Sequence, residues 1–196
     1  MDSKYEKILE NTVNFSDRFI PNHDELLEFT KYCKSKGKKV VLTQGVYDLV
    51  HHGHALYLQK AKALGDILIV GVDTDALTKK RKGPNRPIVP EDERITMLTH
   101  LRHVDVVTLR DVDDKRTKLE EMIRPDFLVF SQTTGDIPDE IKKSASEWCD
   151  EVVVFPPQAT TSTTARIRQL TMEGVEKLAV EVNNLTQDFL EKIRRG

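Results

Sequence analysis

Apolar residues in this chain gather in short continuous runs, with amphipathic stretches between them. Val40–Thr43, Asp66–Val72, Val104–Thr108, Phe127–Phe130 and Val152–Phe155 are rich in β-branched and aromatic residues. They barely alternate with polar positions, as expected of strands covered on both faces of a parallel sheet. The stretches between them read as helices. One opens at Asp24 and stops near Gly37, with Leu26, Leu27, Phe29 and Tyr32 on its apolar side. His52–Leu64 places Tyr57, Leu58, Ala61 and Leu64 on one face and ends at Gly65. Asp75–Lys80 predicts a short helical turn and Arg81–Pro90 a basic loop. Glu91–Leu101, Lys115–Ile123 and Asp139–Trp148 predict further helices, and Ser162 opens another. Strands alternating with helices specify an α/β fold, a doubly wound parallel sheet with helices on both faces. Ligands of such sheets bind at the carboxyl ends of the strands, near a topological switch.

The ends of the chain read differently. Residues 1–22 are polar and weakly patterned, which suggests an N-terminal arm; residues 23–170 form the domain, and residues 171–196 a helical tail. In the tail Val175, Leu178, Val182, Leu185, Phe189 and Ile193 recur at spacings of three and four. A stripe this short is not stable alone, so it packs on its own domain or on another subunit.

Three clusters carry candidate chemistry. The first is Gly45-Val46-Tyr47-Asp48-Leu49-Val50-His51-His52-Gly53-His54, between the first strand and a helix. Unpaired N–H groups and the helix dipole make a helix start a place for anions. Gly53 has no Cβ and allows close backbone approach. His51 and His54, three residues apart, project to the same side and can donate to one phosphate group. Surface histidines at an ordinary helix start are the bland alternative. A metal site on the three histidines is the other alternative, and a poor one, because neither carboxylate nor cysteine lies at ligand spacing nearby.

The second cluster is Lys79-Lys80-Arg81-Lys82-Gly83, with Arg86 and Arg94 beyond. Charge runs are usually solvated faces. After a strand end in a phosphate-binding sheet, Lys82 and Arg94 are instead expected on phosphate oxygens. The third is Thr160-Thr161-Ser162-Thr163-Thr164. One hydroxyl suffices for an N-cap, so five suggest a second phosphate cradle.

Composition narrows the class. A chain of 196 residues with 38% hydrophobic and 32% charged residues has enough apolar content for a real core. A net charge of −2 argues against nucleic-acid binding by bulk electrostatics. Cys33 and Cys149 show neither metal spacing nor a disulfide framework. Neither a signal peptide nor a run of membrane-spanning length is present, which leads us to expect a soluble cytoplasmic protein without a membrane partner.

The first cluster resembles the His-x-Gly-His signature of the nucleotidyltransferase superfamily, and Ser162-Thr163-Thr164 resembles its Ser-Thr-Thr motif. The likeness runs from about Asp24 to Ile167. It is closest to the adenylyltransferase domain of ADP-heptose synthase, through Leu42–Asp48, Lys79–Pro87 and Ser162–Thr164. The resemblance implies a Rossmann-like fold. It also implies transfer of a nucleoside monophosphate from an NTP to a sugar or polyol phosphate, with release of pyrophosphate, Mg²⁺ accompanying the NTP. Carried over, His51, His54, Lys82 and Arg94 are the catalytic residues. Gln44, Gly45, Val46, Tyr47, Asp48, Gly53, Ser162, Thr163 and Thr164 hold the nucleotide, and no residue is a dedicated metal ligand. Pro157 stands where glycerol-phosphate and choline-phosphate cytidylyltransferases carry arginine, so ATP is expected before CTP. Phe130–Gly135 replaces a Lys-Gly-Gly-Asp string of the heptose enzymes. That change motivates the competing class, a nucleotide-binding scaffold without turnover; the histidine pair argues against it. The family and the tail stripe together lead us to expect a homodimer.

Overall fold

The computed structural model describes residues 2–132, 143, 145–158 and 163–195. Five parallel strands, β1 (Val40–Gly45), β2 (Ile67–Asp73), β3 (Val106–Arg110), β4 (Phe127–Ser131) and β5 (Glu151–Phe155), form one sheet in the order β3-β2-β1-β4-β5. The direction of winding reverses between β1 and β4, which makes that seam the topological switch. The helices are α1 (Asp2–Leu9), α2 (His23–Ser35), α3 (His52–Lys62), α4 (Asp75–Lys82), α5 (Glu91–Thr99), α6 (Lys118–Ile123) and α7 (Thr163–Arg195). The α/β fold with helices on both faces is the one expected. The expected helix over Asp139–Trp148 lies largely outside the described residues.

Each face of the sheet has its own core. On one, Val40, Leu42, Ile67, Ile69, Val106 and Leu128 pack with Leu26, Phe29 and Cys33 of α2 and Leu119 and Ile123 of α6. On the other, Val41, Leu68, Val70, Val107 and Val129 pack with Tyr57, Leu58 and Ala61 of α3 and Ile95 and Leu98 of α5. All seven residues of β2 are buried, so its apolar run has both faces covered. Gly71 is needed there: a Cβ would sit 2.7 Å from Leu119 Cδ1 and 3.2 Å from Gln44 Cγ. That close approach seats α6 against the ends of β1 and β2.

Residues 1–22 are not an appended arm. Tyr5, Ile8 and Ile20 are buried in the first core, and the Ile20 N–H donates to the Val107 carbonyl at 2.9 Å. Arg18 is also buried; its Nη1 donates to the carbonyls of Thr99 and Val104 at 3.3 and 3.2 Å. Isolated apolar positions and a buried arginine carry no periodic signal, which is why the sequence reads as polar here.

By compactness the chain divides at Thr160/Thr161 into two units, rather than after residue 170. The second is built on α7, which continues through Gly174 as one helix. Val175, Leu178, Val182 and Leu185 are exposed along it.

Candidate active site

The chain leaves β1 at Gly45 and reaches α3 through a tight turn. Tyr47 (φ 54°) and Leu49 (φ 50°) both adopt left-handed backbone, which is costly for residues with a Cβ. Two buried side chains hold this turn. Asp48 accepts from the N–H groups of Ile88 and Val89 at 3.0–3.1 Å and pairs with Arg86 Nη1 at 3.1 Å. Arg94, 1% exposed, donates from Nη1 to the carbonyls of Val46 (2.6 Å) and Asp73 (2.9 Å). Its Nε donates to the Val89 carbonyl at 2.9 Å, and its Nη2 pairs with Asp75 Oδ1 at 2.6 Å. Every nitrogen of this guanidinium is committed to the protein. Arg94 therefore does not fit the expected place on a phosphate: it ties the turn, the end of β2 and the Ile88–Val89 segment together. Asp48 likewise supports the loop.

The histidines cap the helix themselves. His51, in extended conformation, is the N-cap, and its Nδ1 accepts from the Gly53 N–H at 3.0 Å. His54 Nδ1 accepts from the His51 N–H at 3.4 Å, completing a capping box built of two imidazoles. A neutral imidazole that accepts through Nδ1 carries its proton on Nε2, so these bonds assign the tautomer of both rings. The ring centroids lie 4.2 Å apart. Burial lowers the His54 pKa to about 4, helped by His51 and Lys82 and opposed by Asp48. At neutral pH His54 is thus an uncharged donor.

The floor under α3 is anchored at the switch. Tyr57 Oη and Thr43 Oγ1 share a 2.6 Å hydrogen bond in which either can donate, and the other hydroxyl donates to the Val129 carbonyl oxygen, which lies 3.0 and 3.1 Å from them. Gly45 makes room for Tyr47, whose Cε2 would lie 3.2 Å from a Cβ at that position. The Tyr47 ring centroid is 5.5 Å from that of His54.

Lys79, Lys80, Arg81 and Lys82 form the last turn of α4 rather than a flexible loop. Cations are favourable at that end of a helix dipole. Gly83, at φ 98°, stops the helix in a conformation open to glycine. Desolvation, with Arg86 and Arg81 beside it, pushes the Lys82 ammonium below its ordinary value, while Asp73 and Asp48 pull the other way. The Lys82 charge in turn helps to keep His54 unprotonated.

Gln44 is at the end of β1, and its Oε1 accepts from Arg110 Nη1 at 3.0 Å. Ser162 lies outside the described residues, as do the side chains of Thr163 and Thr164. Among the described residues no group of three or more His, Cys, Asp or Glu side chains is placed to hold a metal ion. Asp48 and Asp75 are engaged by Arg86 and Arg94. No helix among the described residues is long and apolar enough to cross a membrane.

Sequence reasoning missed Asp73, Asp75 and Arg110, and took Tyr57 only as apolar surface. The readable signal was a carboxylate, Asp73, closing an otherwise apolar buried strand.

A family model described as cytidylyltransferase-like matches residues 42–169. The chain is 47% identical over 114 residues to the bifunctional protein HldE of Citrifermentans bemidjiense, covering 58% of this chain and 23% of that protein. It is 38% identical over 158 residues to the HldE protein of Salmonella arizonae, covering 79% of this chain and 32% of that protein. The stretch matched is thus about a quarter to a third of these relatives. A lipopolysaccharide core biosynthesis protein from Thermoplasma volcanium has a similar solved structure, with TM-score 0.55 and 27% identity, covering 62% of this chain and 98% of that one. The family match, the parallel sheet and the His-x-Gly-His cap coincide, and the chain belongs to the cytidylyltransferase-like family of nucleotidyltransferases.

Proposed function

We propose that this protein transfers AMP from ATP to a sugar or polyol phosphate and releases pyrophosphate. The observation that carries this reading is the imidazole cap: two neutral Nε2–H donors on adjacent rings at a helix start. An oxygen of the acceptor phosphate attacks the α-phosphorus as the bond to the pyrophosphate oxygen breaks, so no protein nucleophile is needed. Catalysis is then alignment plus stabilisation of charge on the α-phosphate oxygens. His51 and His54 donate to those oxygens, and Lys82 adds positive charge from the end of α4. Backbone groups of the Gln44–Asp48 turn line the nucleotide. Mg²⁺ bound to the triphosphate would neutralise part of its charge. Pro157 in place of an arginine, and the likeness to ADP-heptose synthase, support ATP over CTP. The stripe on α7 supports a homodimer.

The test is pyrophosphate release from each NTP against a panel of labelled sugar and polyol phosphates. ATP with a sugar phosphate should give product, and His54→Ala should lower the rate by about 10²–10³-fold. No release with any NTP, together with unchanged nucleotide binding in His54→Ala, would refute the reading.

A further inference from the structure

A second polar cluster lies across β1 from the switch, at the carboxyl ends of β1, β2 and β3. Asp73 Oδ1, fully buried, accepts from Arg110 Nε at 2.9 Å and Nη2 at 2.5 Å; Oδ2 accepts from Arg81 Nη1. Arg110 spends its remaining Nη1 on Gln44 Oε1, and Gln44 lowers the pKa of the nearby Glu120 carboxyl. Asp73 and Arg110 are register partners, and Gln44 pairs with Gly71. The three side chains thus share the face of the sheet that α6 covers.

What the network leaves unmatched points to a ligand. Arg81 is half exposed, and its Nε and Nη2 have no partner among the described residues. Arg116, at the exposed entrance to α6, makes no hydrogen bond or ion pair with a described residue. Partial desolvation lowers its pKa, and Arg110 and Arg81 lower it further against the pull of Glu120, so these charges lie within each other's field. Glu120 is 2% exposed, and its Oε2 has no hydrogen-bond partner among the described residues. Burial pushes the pKa of that carboxyl up. With Arg81, Arg110 and Arg116 set against Asp73 and Glu120, the local charge is positive.

We propose that Arg81 and Arg116, held in place by Asp73 and Arg110 and floored by Glu120, form an oxyanion subsite for the acceptor. The nucleotide is drawn to the histidines and the switch between β1 and β4; this cluster faces the other half of the sheet. The inference rests on the transfer reaction proposed above for its acceptor. The oxyanion is either the reacting phosphate or a second acidic group on the same acceptor. Planar guanidinium forks suit both.

Calorimetric titration of the full chain with inorganic phosphate, in the presence of a non-hydrolysable ATP analogue, tests the subsite directly. Saturable binding is expected, weakened at least tenfold in Arg116→Ala and in Arg81→Ala and less in Arg116→Lys. Affinity for the ATP analogue should stay within twofold. In turnover, a rise in acceptor KM with Arg116→Ala for a sugar monophosphate, at unchanged KM for ATP, assigns the reacting phosphate. A rise confined to acceptors bearing a second phosphate or carboxylate assigns that group. Equal phosphate binding by wild type, Arg116→Ala and Arg81→Ala, all folded by thermal unfolding, overturns the subsite. If no NTP yields pyrophosphate, the transfer reading fails, while the phosphate titration still decides whether the anion site exists.

Discussion

Arg94 Nη1 lies 2.6 Å from the carbonyl oxygen of Val46, so the turn that presents the histidines is fastened from beneath by a buried guanidinium. The same side chain reaches Asp73, Asp75 and Val89. Removing one partner of a buried ion pair leaves the other charge unpaired and costs about 3–5 kcal/mol. Arg94→Ala is expected to destabilise the domain by that order, measured by urea unfolding. Arg94→Lys should recover only part, because one ammonium cannot serve four acceptors on three segments.

The two functions of His51 are separable. His51→Ser keeps an N-cap oxygen for the Gly53 N–H, whereas His51→Ala does not; the difference in stability should be about 1 kcal/mol. Both variants lose the Nε2–H donor, so both should lose turnover equally. A serine variant as active as wild type would assign His51 to capping alone.

His54 gives the fold a defined acid sensitivity. Its folded-state pKa is about 4 against an ordinary 6.5. Between those values the unfolded chain takes the proton more readily. Stability contributed here is therefore intact above about pH 6.5, falls as pH drops toward 4, and levels off below. The His54 ring should titrate near 4 by NMR, and bound triphosphate should raise that midpoint. His54→Asn should flatten the stability profile between pH 6.5 and 4.

Tyr57→Phe removes the hydroxyl that joins Thr43 to the Val129 carbonyl across the β1/β4 seam. The expected loss is about 1–2 kcal/mol by denaturant unfolding. Because Tyr57 lies on the helix that carries both histidines, turnover should fall as well, with nucleotide affinity less affected.

The strands, their parallel sense and the helix-start motif were legible because continuous apolar runs and a glycine turn have few other solutions. Arg94 and Lys82 looked equivalent as cations near a strand end, yet one is enclosed by four oxygen acceptors and the other sits on the last turn of α4. Composition cannot distinguish them; burial, set by tertiary packing of α5 against β2, does. The strand-end network was hidden for a related reason. Gln44, Asp73 and Arg110 are far apart in sequence and meet only through register, with Gly71 letting α6 close over them.

The pairing of Phe19 with Val107 bears on the protein's solubility. β3 is an outer strand, and an outer strand with open N–H and C=O groups is a template for pairing with another chain. The extended residues before α2 occupy part of that template from within the same molecule. The segment that reads as a polar leader is therefore an edge guard. A shortened protein that starts at α2 would bare the β3 margin and invite strand-to-strand aggregation before any loss of the histidine cap.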